Sequence, residues 1–262
     1  IIKKKLHIKN YLLILNLANA LLINFSILYL EHFLFQLNIM IISIITVVYN
    51  GEKTIQQTIN SVASLKKINN NIEYIIVDGD SNDNTKIILQ KNKKNIDILI
   101  SEPDKGLYDA YNKGAILATS SWITYLNADD VLIPDNFNIY LNDTIYKVEG
   151  SDLKNIFCSN NVLFGGKKNQ KKSNLSKLNI NMSIAFPGLI FSKESWNDVG
   201  GFDDKLQICS DYKFVLKLKY QNFNNIIYKN IETVVFYIGG ISTNSKYNLL
   251  RIKENFIARK EM

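Results

Sequence analysis

From residue 40 the chain alternates short apolar runs with single amphipathic stretches, and this alternation narrows the fold more than any other feature. "IISIITVVYN", "IEYIIVDGDS", "IDILISEPDKG" and "SWITYLNADD" each read as a strand that ends in polar residues. Between them, "EKTIQQTINSVASLKK" sets Ile55, Ile59, Val62 and Ala63 on one helical face. "DNTKIILQKNKK" gives a second helix, and "LYDAYNKGAILAT" a third with Ala110, Gly114 and Leu117 at close-packing spacing. Strands separated by single helices imply right-handed crossovers, so the expected class is α/β with a mainly parallel sheet flanked by helices. Ligands of such sheets bind beyond the carboxyl ends of the strands. Four polar strand ends then converge on one crevice, where Asp129 and Asp130 are expected to face a ligand.

Composition removes several chemistries. With 47% hydrophobic and 21% charged residues, the 262-residue chain can bury a sizeable core, which excludes global disorder. The net charge of +7 is spread through lysines and favours anionic ligands in general. His7 and His32 are the only histidines, and both lie upstream of residue 40, which disfavours Ser-His and Cys-His catalysis and His-rich zinc sites. Cys158 and Cys209 have no metal-type spacing, consistent with a reduced, cytoplasmic protein. No GxGxxG follows the first strand and no GxxxxGK[ST] occurs, so dinucleotide oxidoreductases and P-loop NTPases are disfavoured. The basic residues form no aromatic-interleaved stripe, and nucleic acid is not an expected partner.

Outside the alternating core the readings are less determined. Residues 1–39 join a basic flank to an apolar run interrupted by Asn16, Asn19, Asn24 and Ser26. Because the chain opens on Ile1 and Met40 directly precedes the first strand, a non-native extension is the first reading. An interfacial helix and a membrane span follow it. The lysine-rich stretch 165–177 is expected to be a solvated loop, and "CSDYKFVLKLKYQ" a helix. Residues 246–262 read as a basic amphipathic helix that docks on the core, with membrane-surface contact as its second role.

Which residues carry chemistry? In an extended "NADD", Asn127 and Asp129 project together and Asp130 opposes them. One carboxylate suffices for Mg2+ or Mn2+ when a ligand diphosphate and waters supply the other oxygens. A polar turn or a helix N-cap is the plainer alternative. Asp78 and Asp80, at a neighbouring strand end, are placed to accept hydrogen bonds from a nucleobase or ribose, whereas Asp83 and Asn84 read as helix caps. Tyr49, at the end of the first strand, could stack on a base or simply pack.

Taken together, these stretches resemble family 2 glycosyltransferases, which have the Rossmann-like GT-A fold. "ISIITVVYNGEKTIQQTINSV", "IIVDGDSNDNT", "SEPDKGLYDAYNKG", "ITYLNADD", "GGFDDKLQICSDYKFVLKL" and "FYIGGIST" carry the resemblance by their order and spacing. It implies a single GT-A domain over 40–245, with a nucleotide-binding half at 40–135 and an acceptor-binding half at 136–245. "EPDKGLYDAYNKG" is similar to a subgroup that builds bacterial surface polysaccharides. By resemblance, Thr46, Tyr49, Glu52, Asp78 and Asp80 would line the uracil and ribose pocket, and Lys105 would approach the donor's base or phosphates. Asp129 would be the ligand of Mg2+ or Mn2+, with Asn127 in place of the family's usual first Asp. Asp211 would be the catalytic base, Ser210 standing where the family carries Glu, with a helix N-cap as its alternative role. Phe186 stands where related sequences often carry His.

The expected reaction is an inverting, metal-dependent transfer of a sugar from a nucleotide-sugar, a UDP-sugar by resemblance, to a glycan or lipid-linked glycan. Such acceptors imply peripheral contact with the inner face of the cytoplasmic membrane. Two competitors remain open. One is a non-catalytic sugar-binding scaffold, suggested by Asn127, Ser210 and Phe186. The other is a sugar-phosphate nucleotidyltransferase, whose Gly-rich basic loop "YNGEKT" does not resemble.

Overall fold

The structure, a computed structural model, describes residues 41–147, 156–164, 169–220, 226–238, 240 and 244–262. The readings of residues 1–39, and of Met40 as the start, fall outside them. Strands β1 (Ile42–Val48), β2 (Ile72–Asp78), β3 (Ile98–Ser101) and β4 (Trp122–Tyr125) form the expected parallel sheet, and β8 (Phe191–Ser192) closes it antiparallel, in the order β3-β2-β1-β4-β8. All seven residues of β1 and of β2 are buried, as a central parallel strand covered on both faces requires. The period of two sorts them into two cores. Ile42, Ile44 and Val48 join Ile55, Ile59, Val62 and Leu65 of helix α1 (Ile55–Ile68), whereas Ile45 and Val47 join the opposite core with helix α3 (Leu107–Leu117). Leu65, rather than the half-buried Ala63, completes the inner face of α1.

Helix α3 approaches β1 closely because Gly114 offers no side chain. A Cβ there would lie 2.4 Å from Ile45 Cγ2. Helix α2 (Thr85–Lys91) is shorter than its sequence pattern, giving way to a 3-10 turn at Lys93–Asn95.

A second sheet runs β5-β9-β6-β7, built from β5 (Val131–Leu132), β6 (Ile156–Phe164), β7 (Asn169–Lys171) and β9 (Ile226–Tyr237). It corrects the reading of 165–177 as a loop throughout, since Asn169–Lys171 pairs antiparallel with β6. It also interleaves the two halves drawn at residue 135: β5 crosses into the second sheet and β8 into the first. Helix α4 (Pro134–Asn142) packs beside α1, and α5 (Lys193–Val199) and α6 (Ser210–Tyr220) follow β8. Helix α7 (Asn248–Lys260) ends the chain, docked as expected through buried Glu254 and Ala258.

Gly114→Val should lower stability by about 1–3 kcal/mol, because Ile45 must move to admit an isopropyl group into a filled interface. Chemical denaturation reads this directly. An unchanged midpoint would mean that α3 can lift from the sheet at no cost.

Candidate functional site

The ends of β1 and β2 are tied together by a lattice of side-chain to backbone bonds. The Asn50 amide N–H donates to Ser81 Oγ at 2.8 Å, Asn82 N–H returns one to Asn50 Oδ1 at 2.8 Å, and Gly51 N–H donates to Thr85 Oγ1 at 2.8 Å. Glu52 N–H reaches Asp83 Oδ2 at 3.1 Å, and Asn84 N–H reaches Glu52 Oε2 at 3.0 Å. Asn50 (φ 52°) and Asp80 (φ 65°) hold left-handed conformations that turn the chain at the two strand ends. The loop therefore stands preformed, with Tyr49, Asn50, Gly51 and Glu52 along one side of a cavity of about 1070 Å³.

Behind the same cavity, β4 stops at Tyr125, earlier than the apolar pattern implied. Residues 127–130 form a β-turn closed by Asp130 N–H to the Asn127 carbonyl at 3.0 Å. This corrects the expected alternation. The turn folds Asn127 and Asp130 toward each other, with Asn127 Nδ2 donating to Asp130 Oδ2 at 3.3 Å and Oδ1 accepting from the Tyr111 hydroxyl. Asp130 is fully buried and accepts Tyr237 N–H at 3.1 Å, so it does not face a ligand. Asn127 lines the cavity but has both ends of its amide engaged, and Asp129 is the carboxylate of this turn that meets the cavity. Burial pushes the Asp129 carboxyl above its usual range. Burial, then the charge of Asp129, pushes Asp130 well above it.

The third wall comes from far along the chain. Asp211 lies in the first turn of α6, where a carboxylate is favoured by the helix dipole. It sits inside the helix rather than at a capping position. The Tyr108 hydroxyl, 2.6 Å from the Ile208 carbonyl, lies 3.2 Å from Asp211 Oδ1, which also accepts Tyr212 N–H at 2.8 Å. Ser210 Oγ is buried without a partner among the described residues. The backbone before α6 is instead held by Glu254 of α7, whose buried carboxylate accepts the N–H groups of Gln207, Ile208 and Cys209, each at 2.9 Å. Phe186 contributes an apolar wall, 6.0 Å from the ring of Tyr111 and 6.0 Å from that of Phe202.

Of the residues read from sequence, Tyr49, Glu52, Asn127, Asp129 and Asp211 line this one cavity. Three do not. Thr46 points into the core on the α1 side, fully buried and accepting from the Tyr74 hydroxyl at 3.2 Å. Asp78 is buried at the last pairing of β2, where Ser81 and Ser101 hydroxyls occupy its oxygens. Asp80 pairs with Lys86 outside the lining. Lys105 is exposed, between the cavity-lining Asp104 and Gly106. Residues the sequence reading passed over are Tyr108 and Tyr111, whose three-residue spacing on a helix could have shown them, and Arg251 and Asn255 of α7, which no motif marks.

Charge decides what the cavity can hold. Glu52, Asp83, Asp104, Asp129 and Asp211 line it against Lys53 and Arg251 alone, in a chain that is net positive. A diphosphate would meet net repulsion here unless a cation came with it. Asp129, half-buried and with no ion pair among the described residues, has the hard oxygen ligand that Mg2+ or Mn2+ accepts when phosphate oxygens and waters complete the shell. The residues present thus fit a divalent cation that arrives with an anionic ligand. They do not form a cage of their own: no group of three or more His, Cys, Asp or Glu that could hold a metal occurs among the described residues.

Residues 43–143 match the family model described as glycosyl transferase family 2. The chain is 27% identical over 188 residues to a PGL/p-HBAD biosynthesis glycosyltransferase of Mycobacterium bovis, covering 67% of this chain and 68% of that protein. It is 34% identical over 102 residues to the UDP-Glc:alpha-D-GlcNAc-diphosphoundecaprenol beta-1,3-glucosyltransferase WfgD of Escherichia coli, covering 38% of this chain and 40% of that one. The fold is similar to S. aureus TarS 1–349 solved with UDP-GlcNAc, with a TM-score of 0.63 and 19% identity over 79% of this chain. It spans 61% of the length of that structure. Residues 43–143 thus match glycosyl transferase family 2, and the mainly parallel sheet has the fold of the GT-A glycosyltransferases.

Proposed function

We propose that the chain moves a sugar from a nucleotide-sugar, a UDP-sugar, to a hydroxyl of a glycan or lipid-linked glycan, inverting the anomeric carbon, in surface polysaccharide or glycolipid biosynthesis. The observation that carries this reading is one cavity lined by both Asp129, from the end of β4, and Asp211, from the start of α6. The exposed ring of Tyr49 offers a stacking face for the base at the preformed loop. A divalent cation, Mg2+ or Mn2+, held by Asp129 would offset the charge that grows on the departing diphosphate. Asp211, with Oδ1 oriented by Tyr108, takes the proton from the acceptor hydroxyl. The acceptor oxygen bonds to the anomeric carbon as the bond from that carbon to the diphosphate oxygen breaks on the opposite face. The name of WfgD, a UDP-glucose enzyme acting on a diphosphoundecaprenol-linked sugar, supports a lipid-linked acceptor.

Asp211→Asn should cut turnover by about 10²–10⁴-fold while donor binding survives. UDP release and donor-induced thermal stabilisation, measured side by side, separate these effects. Wild-type turnover in the variant removes Asp211 as the base, and pyrophosphate release in place of UDP removes the transferase reading.

Asp129→Asn should abolish the metal-dependent part of donor stabilisation. It should also raise the melting temperature of the free protein at neutral pH. A carboxyl whose folded pKa is raised by burial destabilises the fold once it ionises. The gain should therefore fade as the pH falls through the raised folded range and vanish below the ordinary carboxylate range, where both states are protonated. A variant less stable than wild type at neutral pH would contradict the electrostatic account of this turn.

A further inference from the structure

Helix α7 presents three different faces. Glu254 and Ala258 are buried, Arg251 and Asn255 line the cavity, and Leu249, Ile252 and Phe256 lie outward at 84%, 67% and 60% exposure. Their spacing of three and four residues makes the outward set one continuous apolar stripe. Lys253 and Lys260 flank it on one side and Arg259 on the other, and buried Glu254 is the only acidic residue within 246–260. Three large apolar side chains aligned on the solvent side of a basic helix are a binding surface awaiting a cover.

The stripe also has a place in the molecule. Arg259 Nη1 donates to the Ile180 carbonyl at 2.9 Å, bringing exposed Ile180 beside the helix, and the next two residues, Asn181 and Met182, line the cavity. The apolar surface therefore lies beside a segment that lines the cavity. Its charge narrows the choice of cover. Two copies set stripe to stripe would bring lysines and arginines against one another, which disfavours self-association. At 13 residues α7 is too short to span a bilayer, and no helix among the described residues is long and apolar enough to do so.

We propose that the outer face of α7 lies in the headgroup layer of an anionic phospholipid bilayer. Leu249, Ile252 and Phe256 enter the acyl boundary, Lys253, Arg259 and Lys260 meet the phosphates, and the cavity is held beside the membrane surface. The purpose of this surface rests on the lipid-linked acceptor reading above; its geometry rests on the helix alone.

Flotation of the full chain with phosphatidylglycerol vesicles and with phosphatidylcholine vesicles tests the proposal without turnover. The wild type should float with the anionic vesicles only and be released by salt. The triple variant Leu249→Ser, Ile252→Ser, Phe256→Ser should bind about tenfold or more weakly. It should keep its circular dichroism and its UDP release with a water-soluble acceptor, since none of the three side chains lines the cavity. In Phe256→Trp the added indole emission should shift to the blue on anionic vesicles. Equal flotation of the triple variant would overturn the proposal and assign membrane binding to residues elsewhere, such as the apolar run in 1–39. A triple variant that changes sedimentation mass rather than vesicle binding would overturn it in favour of a second copy, and equal binding to both lipids would remove the role of charge. Loss of UDP release in wild type would instead refute the transferase reading and leave the vesicle result standing.

Discussion

Parallel pairing around β1 is the constraint on which everything else depends. Because β1, β2, β3 and β4 run the same way, their carboxyl ends share one edge, and the loops that leave them have to form one rim. Buried hydrophobic residues on both faces fix the register, since a slip of one residue would exchange the two cores. The rim then needs local ties, and Asn50, Gly51 and Glu52 provide them by reaching the segment 81–84 and Thr85 through backbone amides and short polar side chains. Such bonds are made before any ligand arrives, so little ordering is left for binding to complete.

The cavity concentrates acid in a basic protein, and that contrast explains why the turn at 127–130 is costly on its own. Asp129 and Asp130 follow each other with both carboxyls displaced upward by burial. Hydrogen bonds from Tyr237 and Asn127 offset part of that cost for Asp130, whereas Asp129 has no ion pair among the described residues. A site built this way is poised for positive charge supplied with the ligand.

The parallel sheet, the inner face of α1 and the close approach at Gly114 were legible because each follows from periodicity over several residues. The second sheet was not, since β6 and β9 pair across more than sixty residues and the two-residue strands β5 and β8 carry no pattern of their own. In the site, Asp129 was legible as a polar residue after a strand and Asp211 through the family resemblance of its motif, and both line the cavity. Thr46, Asp78 and Asp80 show where such reading fails. A polar residue at a strand end can be consumed by its own loop, as Asp78 is by Ser81 and Ser101, and the spacing of letters does not show which hydroxyl arrives first. Asp129 and Asp130 exchanged places relative to Asn127 because the strand ended at Tyr125 and a turn replaced alternation.

Glu254 places a further demand on the chain. Its carboxylate collects three successive amides from the residues just before Asp211, so the last helix sets the position of the proposed base from more than forty residues away. A helix advances by about 100° per residue, so a single insertion or deletion between Asn248 and Glu254 would swing that carboxylate off its amides and carry the stripe of Leu249, Ile252 and Phe256 to a new side. The length of the first turns of this helix is therefore fixed by the amides that Glu254 must meet.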